Sequence, residues 1–192
     1  DCLQKKLLKN YSGYNIFLVD GDKIRDLSPE ADNFTNFGLH SDFFFIPQNE
    51  IWIDINTSEN ERFFDIENAV HQLDAQKKGK SKKEAYNSGI KYERSLREKI
   101  HNVKLNPEDV DKPAPKQVYL QKIGLIPSEN IIVWLVDGEF VRDKFKTDFS
   151  LGGNFRVYPW IPNNEIWRDK TENAEEEIPR TLLHEYAEFT LV

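Results

Sequence analysis

The chain has 192 residues, room for one ordinary domain or two small ones, and 39% of them are hydrophobic, including thirteen Phe, seven Tyr and four Trp. Rings of that size bury large areas with few residues, so a packed core is expected and wholesale disorder is excluded. A net charge of −7 argues against a protein that coats nucleic acid or an anionic membrane, and the single cysteine, Cys2, excludes an internal disulfide. No apolar run approaches the roughly 20 residues that span a bilayer. The N-terminal DCLQKKLLKN is not a signal peptide, so the expectation is a soluble, cytoplasmic protein with no membrane partner.

In chain order, the first readable element is NIFLVDGDKIRD, with apolar residues alternating around Asp20-Gly21. An Asp-Gly between β-prone runs predicts a two-residue hairpin turn. FFFIPQNEIWID follows, with β-branched and aromatic residues on both sides of Pro-Gln-Asn, and reads as a second hairpin or a sharply turned pair of strands. After Asp54 the pattern turns helical over 59–75. A charged helix over 81–100 comes next, with Ala85, Gly89, Tyr92, Leu96 and Ile100 as a thin stripe. LNPEDVDKPAPKQ (105–117) holds three prolines and has no periodicity, the signature of a semi-rigid linker.

The order then repeats. FLVDGDKIRD (17–26) returns as WLVDGEFVRD (134–143), NFTNFG (33–38) as DFSLGG (148–153), and FIPQNEIWID (45–54) as WIPNNEIWRD (160–169). Upstream, LQK (3–5) matches LQK (120–122); downstream, AVHQLDA (69–75) falls opposite LLHEYAE (182–188). Five blocks in one order make a duplication. The expected architecture is therefore α+β, two tandem copies of a unit with β-hairpins followed by an amphipathic helix. Copy one spans 1–104 with an extra basic C-terminal helix, the linker 105–117, and copy two 118–192. In copy two the helix is expected over 175–191, with Pro179 in its first turn and Ile178, Leu182, Leu183, Tyr186 and Phe189 as its apolar face.

That last helix carries the one string that looks like chemistry, H-E-x-x-E at His184, Glu185 and Glu188. His184 and Glu188 have the i,i+4 spacing of two zinc ligands on one helix face, and Glu185 stands where a general base would activate a bound water. Copy one has His71, Gln72 and Ala75 in the corresponding places, and neither Gln nor Ala can do that work. A carboxylate cluster of Glu165, Asp169 and Glu188 is a further candidate. The duplicated Arg25 and Arg142 are expected to pair with Asp54 and Asp169, or with Glu50 and Glu165, across adjacent strands. Trp52 and Trp167 are expected in the core, as are the aromatics of Phe43-Phe44-Phe45 and Tyr158-Trp160 unless they mark a partner surface.

The succession VDGxxVRD, DFxxGG, FIPxxEIWxD and LLHExxE resembles a group of small uncharacterised bacterial and phage-type proteins. In that group the helix continues through a GxxYxxAHxxAxxxE segment, whose histidine is the natural third metal ligand. Copy two matches the first part of the pattern. Copy one matches the continuation at Gly79, Glu84-Ala85, Gly89, Glu93 and Arg97, with Tyr86 in place of the histidine. The resemblance implies a fold-level unit and no particular activity.

Segment 76–99 carries nine Lys/Arg against three Glu, a basic stretch in an acidic chain. It reads first as a solvated helix face and second as a docking surface for an acidic partner or nucleic acid. Two functional readings follow. The leading one is a non-catalytic tandem-repeat protein that acts by protein–protein interaction or self-assembly, with no cofactor. The alternative is a metal-dependent hydrolase, with zinc held at His184 and Glu188 and Glu185 as the catalytic base.

Overall fold

The computed structural model describes residues 5–103, 114–126, 130–170, and 183, 186 and 187. The chain divides into two compact units, Asp1–Ile100 and His101–Val192. The fold is α+β, and each unit is built on a four-stranded sheet. The expected linker 105–117 lies outside the described residues except for 114–117.

In unit 1 the elements run β1 (Lys6–Tyr11), β2 (Tyr14–Val19), α1 (Gly21–Arg25), β3 (Phe37–Gly38), β4 (Glu50–Asp54), α2 (Glu59–Lys77) and α3 (Lys82–Ile100). The sheet order is β1-β2-β4-β3. β1 and β2 form an antiparallel hairpin whose tip is Ser12-Gly13, both at positive φ (50 and 83), as a tight two-residue turn demands. β2 and β4 run parallel, Phe17 standing opposite Trp52, and β3 closes the far edge antiparallel to β4.

Asp20-Gly21 is therefore not a hairpin tip. Asp20 is the N-cap of α1, its carboxylate accepting from the Lys23 N–H at 3.2 Å. Asp137 caps α4 (Gly138–Lys144) in the same way through Phe140 N–H, also at 3.2 Å. Asp is a preferred N-cap as well as a preferred turn residue, so the dipeptide alone did not distinguish the two. FFFIPQNEIWID is likewise not a pair of strands. Phe43 to Asn49 form successive turns, and only Glu50–Asp54 is strand.

Period-two alternation assigns the two faces of the sheet. Ile16, Leu18, Ile51 and Ile53 lie under α2, packed on Ile66, Ala69, Val70 and Leu73. Trp52, with Phe17 beside it, points to the other face, into a cluster of Ile24, Phe34, Phe43 and Ile46. Ser58 caps α2 by accepting from Glu61 N–H. α2 ends at a positive-φ Gly79, with Lys80 N–H returning to the Ala75 carbonyl. Ser81 and Glu84 then open α3 as a reciprocal capping box, Ser81 N–H to Glu84 at 2.9 Å and Glu84 N–H to the Ser81 hydroxyl at 3.3 Å.

Unit 2 repeats the plan with β5 (Tyr119–Ile126), β6 (Ile131–Val136), α4, β7 (Gly152–Asn154) and β8 (Glu165–Asp169), in the order β5-β6-β8-β7. Trp134 stands opposite Trp167, as Phe17 does opposite Trp52. The edge strands correct one detail of the repeat. Lys6 faces Leu18 and Gln121 faces Leu135, so Lys5 is not the structural counterpart of Lys122; the connection 127–130 is two residues longer than Ser12-Gly13, and the bulge at Leu7/Lys9 has its match at Lys122/Gly124. Both tryptophans are core residues, Trp52 at 5% exposure and Trp167 at 0%.

Most of the expected helix 175–191 lies outside the described residues. Within it, Tyr186 packs against Ile131, Val133 and Ile166, on the sheet face that α2 covers in unit 1. Leu183, expected on the same buried face, is 69% exposed.

Candidate functional site

His184, Glu185 and Glu188 lie outside the described residues, so their geometry is not on view. Their counterparts in unit 1 are. His71 Nε2 meets the Ser88 hydroxyl at 2.9 Å and its ring stacks on Tyr92, centroids 4.5 Å apart. Burial, then the positive charge of Lys80, lowers its pKa, which favours the neutral ring. Gln72 donates to Asn68 at 2.8 Å, and Ala75 is buried.

These residues border a polar network that joins α2 to α3. Arg97, fully buried, donates twice to Glu61 (2.9 and 2.7 Å) and once through Nε to Glu93 (2.8 Å). Asn68 donates to the second Glu93 oxygen at 2.6 Å. A β-carbon at Gly89 would overlap the side chains of Asn68 and Gln72, so glycine is what lets the helices meet there. Burial holds Glu93 above the usual carboxylate range, while the carboxylates of Glu61 and Glu93 hold Arg97 firmly charged. The buried stripe of α3 is Ala85, Gly89, Glu93 and Arg97, not the Tyr92-Leu96-Ile100 continuation expected from the apolar residues; Ile100 is exposed. From the sequence, Glu93 and Arg97 are named only as matches to the resembled continuation, and Glu61 and Asn68, polar residues on the buried face of α2, are not named.

A second duplicated constellation joins the sheet to the short helix. Arg25 donates to the Phe34 carbonyl at 2.9 Å and lies 3.6 Å from Asp54; Arg142 donates to Phe149 at 3.1 Å and to Asp169 at 2.9 Å. The expected pairing with Asp54 and Asp169 is thus present, but from helices α1 and α4 rather than from strands. A β-carbon at Gly21 or Gly138 would overlap the Asp54 or Asp169 carboxylate, which explains the invariant glycine in both copies. Glu50 and Glu165 have a different task. Each accepts from the indole N–H two residues on, Trp52 at 2.6 Å and Trp167 at 2.7 Å. A second donor comes from Lys5 in unit 1 and Tyr119 in unit 2. Glu165 is thus held by Trp167 and Tyr119, and Asp169 by Arg142 and the Gly138 N–H; among the described residues no group of three His, Cys, Asp or Glu could hold a metal ion.

Asp54 adds a pH dependence. Burial outweighs Arg25 and the Asn56 N–H and raises its pKa to about 6. The folded state then holds the proton more tightly than the unfolded chain does. Its contribution is present below the unfolded pKa and is lost as pH rises through about 6. Denaturant titrations are expected to give a loss of roughly 2–3 kcal/mol between pH 4 and 6.5 that Asp54→Asn abolishes. An equal slope in that variant would remove Asp54 as the cause.

The remaining surface features are the edges. β1 and β5 are the outer strands of their sheets, and Leu7, Leu8, Leu120 and Leu125 on them are each 41–50% exposed. Of the aromatic groups, Phe43, Tyr158 and Trp160 are core, whereas Phe44 is 79% exposed. Among the described residues no helix is long and apolar enough to cross a membrane.

The fold is α+β in two similar sheet units, and the described polar residues repeated between them are joined by hydrogen bonds and ion pairs within each unit. No family model matches the chain, and no curated protein or solved structure matches it either.

Proposed function

We propose that this is a non-catalytic tandem-repeat protein that acts by binding a protein partner or by assembling with itself. The observation that carries the reading is the pair of long edge strands β1 and β5, whose outer sides have no strand partner among the described residues. β1 and β5 each end a sheet, each carries exposed leucines, and each offers backbone groups that an added strand could pair. Supporting it, the unit 1 counterparts of the His/Glu string are engaged in helix packing. The paired double variant Leu7→Lys and Leu120→Lys changes only exposed side chains. Sedimentation of the wild type over a wide concentration range is expected to reveal association that this variant loses. A wild type that stays monomeric throughout and retains no partner would sink the proposal.

The hydrolase alternative is tested separately. Zinc bound at His184 and Glu188 would raise the melting temperature of the wild type by several degrees through linkage and leave His184→Ala unmoved. That result would make Glu185 the base to examine next.

A further inference from the structure

Unit 1 has a cleft of ≈ 210 Å³ lined by Tyr14, His40, Ser41, Gln48, Leu73, Gln76 and Lys77. Ligand pockets for whole small molecules run from roughly 300 to 1,000 Å³, so this one suits a single side chain of a longer partner. Its walls are fixed. His40 Nδ1 is held by the Ile46 carbonyl at 2.6 Å, Gln76 donates to the Ser41 hydroxyl at 3.1 Å, and the Tyr14 hydroxyl donates to Asp74 at 3.2 Å. Lys77 lies over the Tyr14 ring, 4.2 Å from its centroid.

Lys77 opens the basic turn between α2 and α3, which continues through Lys78, Lys80, Lys82 and Lys83. The nearby carboxylates are already engaged: Asp42 with Lys82 at 2.9 Å, Asp74 with Tyr14, and Glu84 with Ser81. Lys78, Lys80 and Lys83 are exposed and make no ion pair among the described residues. At the sites corresponding to Tyr14, His40 and Ser41 unit 2 carries Ile131, Phe155 and Arg156.

We propose that this cleft and the lysine turn beside it form a docking site for an acidic peptide segment of a partner protein. One glutamate or aspartate carboxylate enters the cleft beside Lys77 and the Gln48 amide, and flanking acidic residues lie along Lys78, Lys80 and Lys83. The proposal rests on the partner-binding reading above and names the chemistry of the partner. Charge complementarity commits it to an acidic peptide, since the excess positive charge is local and the chain as a whole would repel an extended polyanion.

The test uses the full chain and a fluorescein-labelled 12-residue peptide alternating Glu with Gly and Ser, read by anisotropy. A Gln-for-Glu peptide and a phosphoserine peptide serve as controls. The Glu peptide is expected to bind, weakening at higher salt, and the Gln peptide is not. Binding should fall about tenfold or more in Lys78→Gln/Lys80→Gln/Lys83→Gln, whose residues are exposed. It should fall similarly in Ser41→Leu, which narrows the cleft, and in Gln48→Ala, which is exposed and leaves the fold alone. Loss in the lysine variant with both cleft variants unchanged overturns the docking site in favour of diffuse attraction. Binding of the phosphoserine peptide alone overturns the carboxylate assignment. If no Glu peptide binds, the inference falls, while self-association in the sedimentation experiment would still stand for the broader reading.

Discussion

Arg97→Met is expected to cost about 3–5 kcal/mol, because it keeps the volume and removes the cation shared by two buried carboxylates. Arg97 is fully buried between α2 and α3, with Glu61 at 1% and Glu93 at 3% exposure. Its guanidinium also lies over the Phe64 ring, 4.1 Å from the centroid, so part of the attraction comes from the ring face. Without the guanidinium, each carboxylate must take up a proton or reach water, and reaching water means parting the helices. Denaturant titration followed by far-ultraviolet circular dichroism reads α2 and α3 directly. Removing all three charges, as Arg97→Met with Glu61→Leu and Glu93→Leu, should recover most of the loss, since an apolar replacement of a buried ionic cluster is often neutral or stabilising. A single-variant loss under about 1 kcal/mol would show that the network contributes little.

Trp167→Ala is expected to cost a similar amount, about 3–5 kcal/mol, for a different reason. The ring is 0% exposed and packs edge-on against Trp160 and Tyr119, with both pairs of centroids 5.3 Å apart. β8 lies between β6 and β7 and can shift little, so the vacated volume cannot collapse easily. The variant also deprives Glu165 of one of its two donors. Tryptophan emission follows the transition, since Trp134, Trp160 and Trp167 all belong to unit 2. A loss below about 1 kcal/mol would mean that the neighbouring rings close over the gap.

How much of this was legible in the sequence depends on the length scale of each signal. The duplication, the α+β class, the two helices of unit 1 and both core tryptophans could be read because each rests on a repeated or periodic pattern. Asp20-Gly21 could not be resolved. Asp suits a turn and a helix N-cap equally, and what decides is Asp54, thirty-odd residues on, pressing against Gly21. The parallel pairing of β2 with β4 was hidden for the same reason, since no local pattern announces a crossover. Glu61 and Asn68 were invisible because a polar residue on a helix looks solvated until its partner, here Arg97 or Glu93, arrives from another helix. The basic turn was seen, but the cleft beside it was not, because its lining comes from four separate stretches of chain.

On the self-assembly proposal, having two long edge strands, β1 and β5, carries a consequence that neither would have alone. A chain with one adhesive strand can only pair off, but a chain with two has a valence of two, and links of valence two grow into rings or open filaments according to whether the rotation closes. Lys6 and Lys9 on β1 and the register shifts in both edge strands temper that tendency, because charge and irregular pairing disfavour flat strand-to-strand stacking. On the self-assembly proposal, changing those lysines to threonine is expected to alter the extent of association more than the stability of either unit.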